Sequence, residues 1–196
     1  MSKQRDSAQR RKTVSPRKCV LTLDVDTEGP QWACLGPTAA AAAARKVASA
    51  LAAAAELPAR RATATVLLSS DAHVRGLNHQ WRGLDKPTNV LSFPTPAPPQ
   101  AIPARAARHL GDIVLAEETV AREAAALQIE TKAHFMHLVL HGLLHLLGYD
   151  HETDGEAELM EAMETRILAT LSVADPYAGT EPLGSDGHVA DPVSTA

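Results

Sequence analysis

The sequence predicts an α+β fold, a single mixed sheet of about four strands flanked by helices. Three observations carry this expectation. Short alternating or β-branched segments are interleaved with helical ones as far as Ala116. From Glu117 onward the pattern is almost wholly helical. The length, 196 residues, suits one domain able to bury a proper core.

The first strand is expected over Val20–Asp26, where apolar and polar residues alternate. Gly29, Pro30, Gly36 and Pro37 mark a loop. Thr38 is the expected N-cap of an alanine-rich helix reaching about Glu56, with Pro58 to stop it. Thr63–Leu68 is rich in β-branched residues and reads as the second strand. Ser70 or Asp71 caps a helix carrying Val74, Leu77 and Trp81 on one face. Thr88–Phe93 is an extended piece, and five prolines between Pro94 and Pro103 make a loop or hairpin tip. Gly111–Ala116 is the fourth strand. Helices follow over Glu117–Leu127, Thr131–Leu147 and, acidic and amphipathic, from about Asp154 to Leu171. The basic segment 1–18 and the Gly-, Pro-, Asp- and Ser-rich tail 178–196 are expected to be disordered, leaving 19–177 as the folded domain.

A net charge of −4 and a pI near 6.1 supply no global attraction for nucleic acid, so an anionic substrate would need a local patch. Cys19 and Cys34 are too few for a disulfide framework and are expected to be free buried thiols in a reducing compartment, which suits a cytoplasmic location. No apolar run approaches the ~20 residues of a membrane span. The basic first segment lacks the apolar stretch of a secretory signal.

Five histidines fall between His134 and His151. Those at 134, 137, 141 and 145 share one helix face. His137 and His145 lie roughly 12 Å apart along the axis at ~1.5 Å per residue, too far to share one ion. A helix can supply one i, i+4 pair, and the third ligand must come from elsewhere. His151 fits: Gly148 can end the helix in a left-handed turn, and the chain doubles back through Tyr149 and Asp150. His141, His145 and His151 are therefore the expected ligands of one metal ion, zinc by ligand type, with a fourth position open for water. His134 and His137 are expected to pack or to support. Nickel or another divalent ion suits three imidazoles equally on ligand type.

Metalloproteases with this spacing carry a glutamate directly after the first histidine as general base. Here that position is Gly142, which disfavours peptide hydrolysis by the usual route. A second segment, Leu77 to Phe93, places Arg82 and Lys86 among mostly uncharged residues. An arginine fork suits a phosphate, although on composition alone Arg82 is an ordinary helix-end cation.

Leu77-Asn78, Trp81-Arg82, Lys86-Pro-Thr-Asn-Val-Leu-Ser-Phe93, Gly111-Asp-Ile-Val114 and His141-Gly-x2-His-Leu-Leu-Gly-Tyr-Asp-His151 follow one another in an order that resembles the YbeY family, from about Val20 to Tyr177. These are metal-dependent endoribonucleases of ribosomal RNA maturation and ribosome quality control. The resemblance implies one zinc ion on His141, His145 and His151, a catalytic role for Arg82, and single-stranded or ribosomal RNA as substrate. It also implies ribosomal or assembly proteins as partners, with no membrane, and points to 16S 3′-end maturation. The basic extension, the proline-rich insert and the tail depart from the compact family core.

Attack by a metal-activated water or by the RNA 2′-hydroxyl both stay open at this level. Two rivals stand beside the nuclease. One is a zinc hydrolase of peptides or small molecules with Asp150 or Asp112 as base; the other is a largely non-catalytic ribosome-assembly factor. The acidic residues Glu152, Asp154, Glu156, Glu158, Glu161 and Glu164 are expected to form a solvated face, so RNA is expected to approach from the Arg82 side.

Overall fold

The computed structural model describes residues 19–28, 32–55, 57–100, 103 and 105–178. Four strands, β1 (Val20–Thr27), β2 (Arg61–Ser69), β3 (Val90–Pro94) and β4 (Arg108–Ala116), form one sheet in the order β1-β2-β4-β3. β1, β2 and β4 run parallel, and β3 lies antiparallel on the outer edge of β4. Mixed pairing follows from the connections: helix α1 (Pro37–Ala54) crosses over from β1 to β2, whereas only the proline-rich turn joins β3 to β4. The α+β expectation holds, with its four strands in place.

Two helices cover one face of the sheet. α1 buries Ala40, Ala43, Ala44, Val47, Ala48 and Leu51, a stripe of mainly small residues that lets its backbone approach β1 closely. α4 (Thr131–Leu146) is buried on nearly every side, as its run of Leu, Val and Met demands. In this core Trp32 and Phe135 meet edge-on with centroids 5.4 Å apart. On the opposite face α2 (Asp71–Arg82) packs Val74 onto Leu91, Val114 and Ala116. α3 (Glu117–Ala126) leads into α4, and α5 (Asp154–Thr170) lies against α4 and α1.

Strand alternation on β3 decides the rest. Leu91 and Phe93 face α2, whereas Val90 joins the α4-side core and the Ser92 hydroxyl donates to the Gly142 carbonyl at 3.4 Å. The α4 backbone therefore crosses β3 and β4 at Gly142. A Cβ there would lie 3.0 Å from Ile113 Cδ1, Ile113 Cγ2 and Ser92 Oγ.

Several expectations need correction. The first helix is not capped by Thr38: it starts at Pro37 with Gly36 before it, because proline at the first helical position lacks only an N–H that would be unpaired anyway. That helix ends at Ala54, and Glu56 lies outside the described residues. Ser70, not Asp71, caps α2 by accepting from the His73 amide. Trp81 does not share the buried face of Val74 but is exposed. Cys19 and Cys34 are free but only half-buried. The terminal segments 1–18 and 178–196 lie, apart from Ala178, outside the described residues.

Candidate metal centre

The stripe of histidines on α4 is continued by the chain that follows it. Gly148 sits at φ 89°, its amide donates to the His145 carbonyl at 2.9 Å, and the Tyr149 amide donates to the Leu144 carbonyl at 3.1 Å. These two bonds are the Schellman closure of a helix, and they turn the chain back along α4. His151 thereby stacks on His141, with centroids 5.5 Å apart and planes at 28°, and meets His145 edge-on at 5.1 Å. The Asp150 carboxylate accepts from the His151 amide at 2.7 Å and fixes the loop end. One ring nitrogen from each of His141, His145 and His151 lies within 4.8 Å of the others.

The hydrogen bonds behind the rings decide which nitrogens face inward. His141 Nδ1 is 3.0 Å from Glu164 Oε1, and His145 Nδ1 is 2.9 Å from the Tyr149 carbonyl. Both partners only accept, so both Nδ1 atoms carry the proton. In the neutral rings the two Nε2 atoms are then both acceptors, and they face each other at 3.0 Å. Burial, reinforced by His141 and His151, pushes the His145 imidazole down to about 4, so it is neutral at ordinary pH. Two lone pairs in that position repel, and a cation between them removes the conflict. Tetrahedral zinc with bonds of 2.0–2.1 Å sets its nitrogens ~3.3 Å apart, close to this spacing. The residues present fit a metal ion.

Glu164 is the residue that sequence reasoning placed wrongly. Instead of joining a solvated face it is fully buried, with its oxygens taken up by His141, His137 and the Tyr177 hydroxyl. Burial alone would raise its carboxyl, but the hydrogen bonds from His137 and His141 hold it at about 2. Burial and the neighbouring Glu164 push the Tyr177 phenol up, so it stays a donor. His137, His141 and Glu164 also bring ligand atoms within 4.8 Å of one another. With both Glu164 oxygens already accepting, this group reads as support for His141. Met160, Glu164, Ile167 and Leu168 share the buried stripe of α5, a helical spacing that allows burial of Glu164 but does not by itself require it. His134 is likewise buried and bonds Glu123 at 2.9 Å.

Arg82 is the last residue of α2 and half-buried, with its Nη2 atom out of solvent. The structure brings together the three histidines, and Arg82 lies on a separate helix. Asp112 also belongs to the α2 side, where it bonds His109 at 3.2 Å, and is not placed to act as a base at the cluster. Gly142 faces the sheet, so the position that carries a base in metalloproteases points away from the cluster here.

The family model described as Endoribonuclease YbeY matches residues 33–172, which include every histidine of the cluster, Arg82 and Glu164. The chain is 56% identical to the Endoribonuclease YbeY of Rhodopseudomonas palustris (strain BisA53) over 121 residues, 62% of this chain and 70% of that one. It is 57% identical to that of Bradyrhizobium sp. (strain BTAi1) over 120 residues, 60% of this chain and 70% of that one. With that of Rhizobium meliloti (strain 1021) it shares 51% over 127 residues, 64% of this chain and 74% of the relative. The match runs through strands β2 to β4, the helical histidine pair and the loop that returns the third histidine, and on that basis the chain belongs to the Endoribonuclease YbeY family.

Proposed function

We propose that this protein is a zinc-dependent, single-strand-specific endoribonuclease of ribosomal RNA processing, acting in 16S 3′-end maturation and ribosome quality control in the cytoplasm. His141, His145 and His151 hold the ion, Arg82 binds the scissile phosphate, and residues 19–177 form the hydrolase domain. Ribosomal or assembly proteins present the substrate. The observation that carries this reading is the convergence of three imidazoles with two of their outer nitrogens already committed as donors. Family membership supplies the nuclease activity.

A zinc ion in this position supplies Lewis acidity and lowers the pKa of a coordinated water toward ~7. The rest of the chemistry belongs to the chain. Glu164 and the Tyr149 carbonyl keep His141 and His145 in the tautomer that offers Nε2. Arg82 would bind the phosphate and stabilise charge on its nonbridging oxygens. Of the bases open to the peptide-hydrolase rival, Asp112 faces away from the cluster, whereas Asp150 stands beside it on the His151 amide; the rival is separated by assay on casein.

The test is cleavage of single-stranded RNA spanning a 16S 3′ end by metal-analysed protein, with and without chelator and with casein as a parallel substrate. RNA cleavage that chelator abolishes and zinc restores is expected, with casein intact. An Arg82→Ala protein that still holds zinc is expected to lose roughly 10²–10³-fold in rate. Unchanged RNA cleavage in that variant removes Arg82 from the mechanism, and casein cleavage without RNA cleavage overturns the nuclease reading. A 2′,3′-cyclic phosphate product would identify the 2′-hydroxyl as nucleophile.

A further inference from the structure

The chain has only two tryptophans, two tyrosines and two phenylalanines, so the placement of each is informative. Trp32 and Phe135 are spent on the core. Trp81 is instead 60% exposed at the end of α2, and it meets the half-buried ring of Phe93 edge-on with centroids 6.1 Å apart and planes at 62°. Leu84 beside it is 40% exposed.

The turn that follows Trp81 is held in shape. Arg75 forks onto Asp85 with bonds of 2.6 and 2.7 Å, and the buried Asn78 amide donates to the Lys86 carbonyl at 2.7 Å. Arg75 thereby balances the acidic residue of the turn, and the exposed Lys86 adds a positive charge beside it. An exposed ring braced by a second ring, on a cationic turn of fixed geometry, matches one ligand chemistry: an unpaired base on a phosphate backbone.

We propose that Trp81, backed by Phe93, is a stacking platform for a base of single-stranded RNA, with Lys86 facing an adjoining phosphate. The proposal rests on the nuclease reading and adds to it a subsite for the strand. Its position is suited to the task. Phe93 and Ser92 are consecutive on edge strand β3: Phe93 lies with Trp81 on one face, and Ser92 bonds the Gly142 carbonyl between His141 and His145 on the other. Strand β3 thus carries the platform on one face and seats the helix that bears His141 and His145 on the other. Stacking on a ring requires an unpaired base, which gives the protein a physical reason to prefer single strands.

Intrinsic fluorescence tests this directly, because Trp32 is 1% exposed and Trp81 is the accessible indole. Titrating the zinc-loaded protein with a single-stranded RNA dodecamer is expected to quench the Trp81 emission. Trp81→Ala is expected to weaken binding roughly 5- to 150-fold, with KM raised more than kcat falls, and Trp81→Tyr to restore most of the loss. Wild type and Trp81→Ala are expected to bind an abasic ribose-phosphate oligomer equally, since only the base is stacked. Leu159→Ala, which removes an exposed apolar side chain on α5, controls for general surface effects and is expected to bind as wild type does. If wild type cleaves RNA and Trp81→Ala matches it within twofold in KM, the platform is overturned and the nuclease stands. Loss of ribosomal-protein binding with dodecamer affinity intact overturns it in favour of a protein contact. If zinc-loaded wild type neither binds nor cleaves RNA, both readings fall.

Discussion

At the scale of single residues, the centre depends on what stands behind the imidazoles as much as on the imidazoles. Glu164 is a buried, ionised carboxylate on a neighbouring helix that fixes the His141 tautomer and is itself held by His137 and Tyr177. Glu164→Gln keeps the shape and one accepting oxygen but removes the charge that makes His141 a more basic ligand. It is expected to weaken zinc binding roughly 10- to 100-fold, as outer partners of metal-bound histidines do. Competition against a chromophoric chelator measures this, and an affinity within twofold of wild type would show that Glu164 serves packing alone. This residue was not legible beforehand for a definite reason. A glutamate on an acidic helix is ordinarily solvated, and only the packing of α5 on α4 turns the stripe of Met160, Glu164, Ile167 and Leu168 inward. The three histidines, by contrast, were legible because helix period and a helix-ending glycine are local facts.

At the scale of elements, most boundaries follow from local chemistry, and the departures are tertiary. Trp81 fits the apolar face of α2 by period, yet the sheet beneath α2 ends at β3 and leaves that ring outside. Gly142 is the sharper case, since its meaning changes from a missing base to a contact surface. Gly142→Ala gains ~1 kcal/mol of helix propensity, which the 3.0 Å approaches to Ile113 and Ser92 offset. Gly142→Glu gains a little less propensity and must drive a carboxylate into the seam between α4 and the sheet. Overpacking of ~1–3 kcal/mol and burial of an unpaired charge at several kcal/mol then add. That variant is expected to lose roughly 4 kcal/mol or more in chemical denaturation and to acquire no peptidase activity. A stable Gly142→Glu protein would mean that α4 can lift off β3 and that this helix does not have a fixed seat on the sheet.

At the scale of the whole molecule, the sheet and the candidate metal centre contribute unequally to stability. The sheet is held by apolar clusters on both faces, and α4 and α5 share the larger of them through residues such as Leu140, Leu144, Met160 and Ile167. The loop after α4 is held besides by polar links that converge on the histidines: the Gly148 turn, His151, Glu164 from α5, and Tyr177 beyond it. An ion binding there binds the folded chain and not the unfolded one, so it stabilises by RT ln(1 + [L]/Kd), about 2.7 kcal/mol at a hundredfold excess over Kd. For a chain of this size that corresponds to a rise of roughly 5–10 °C in Tm. The rise is expected in wild type titrated with zinc, to vanish in His151→Ala, and to shrink in Glu164→Gln at the same zinc concentration. Hydrogen exchange then locates the effect. Chelation is expected to speed exchange in the segment 145–151 while β1, β2, β4 and the core-packed α5 keep their protection, because the polar links open without uncovering the apolar core. Uniform loss of protection across the sheet would instead make the ion part of the global fold, in the manner of a structural zinc.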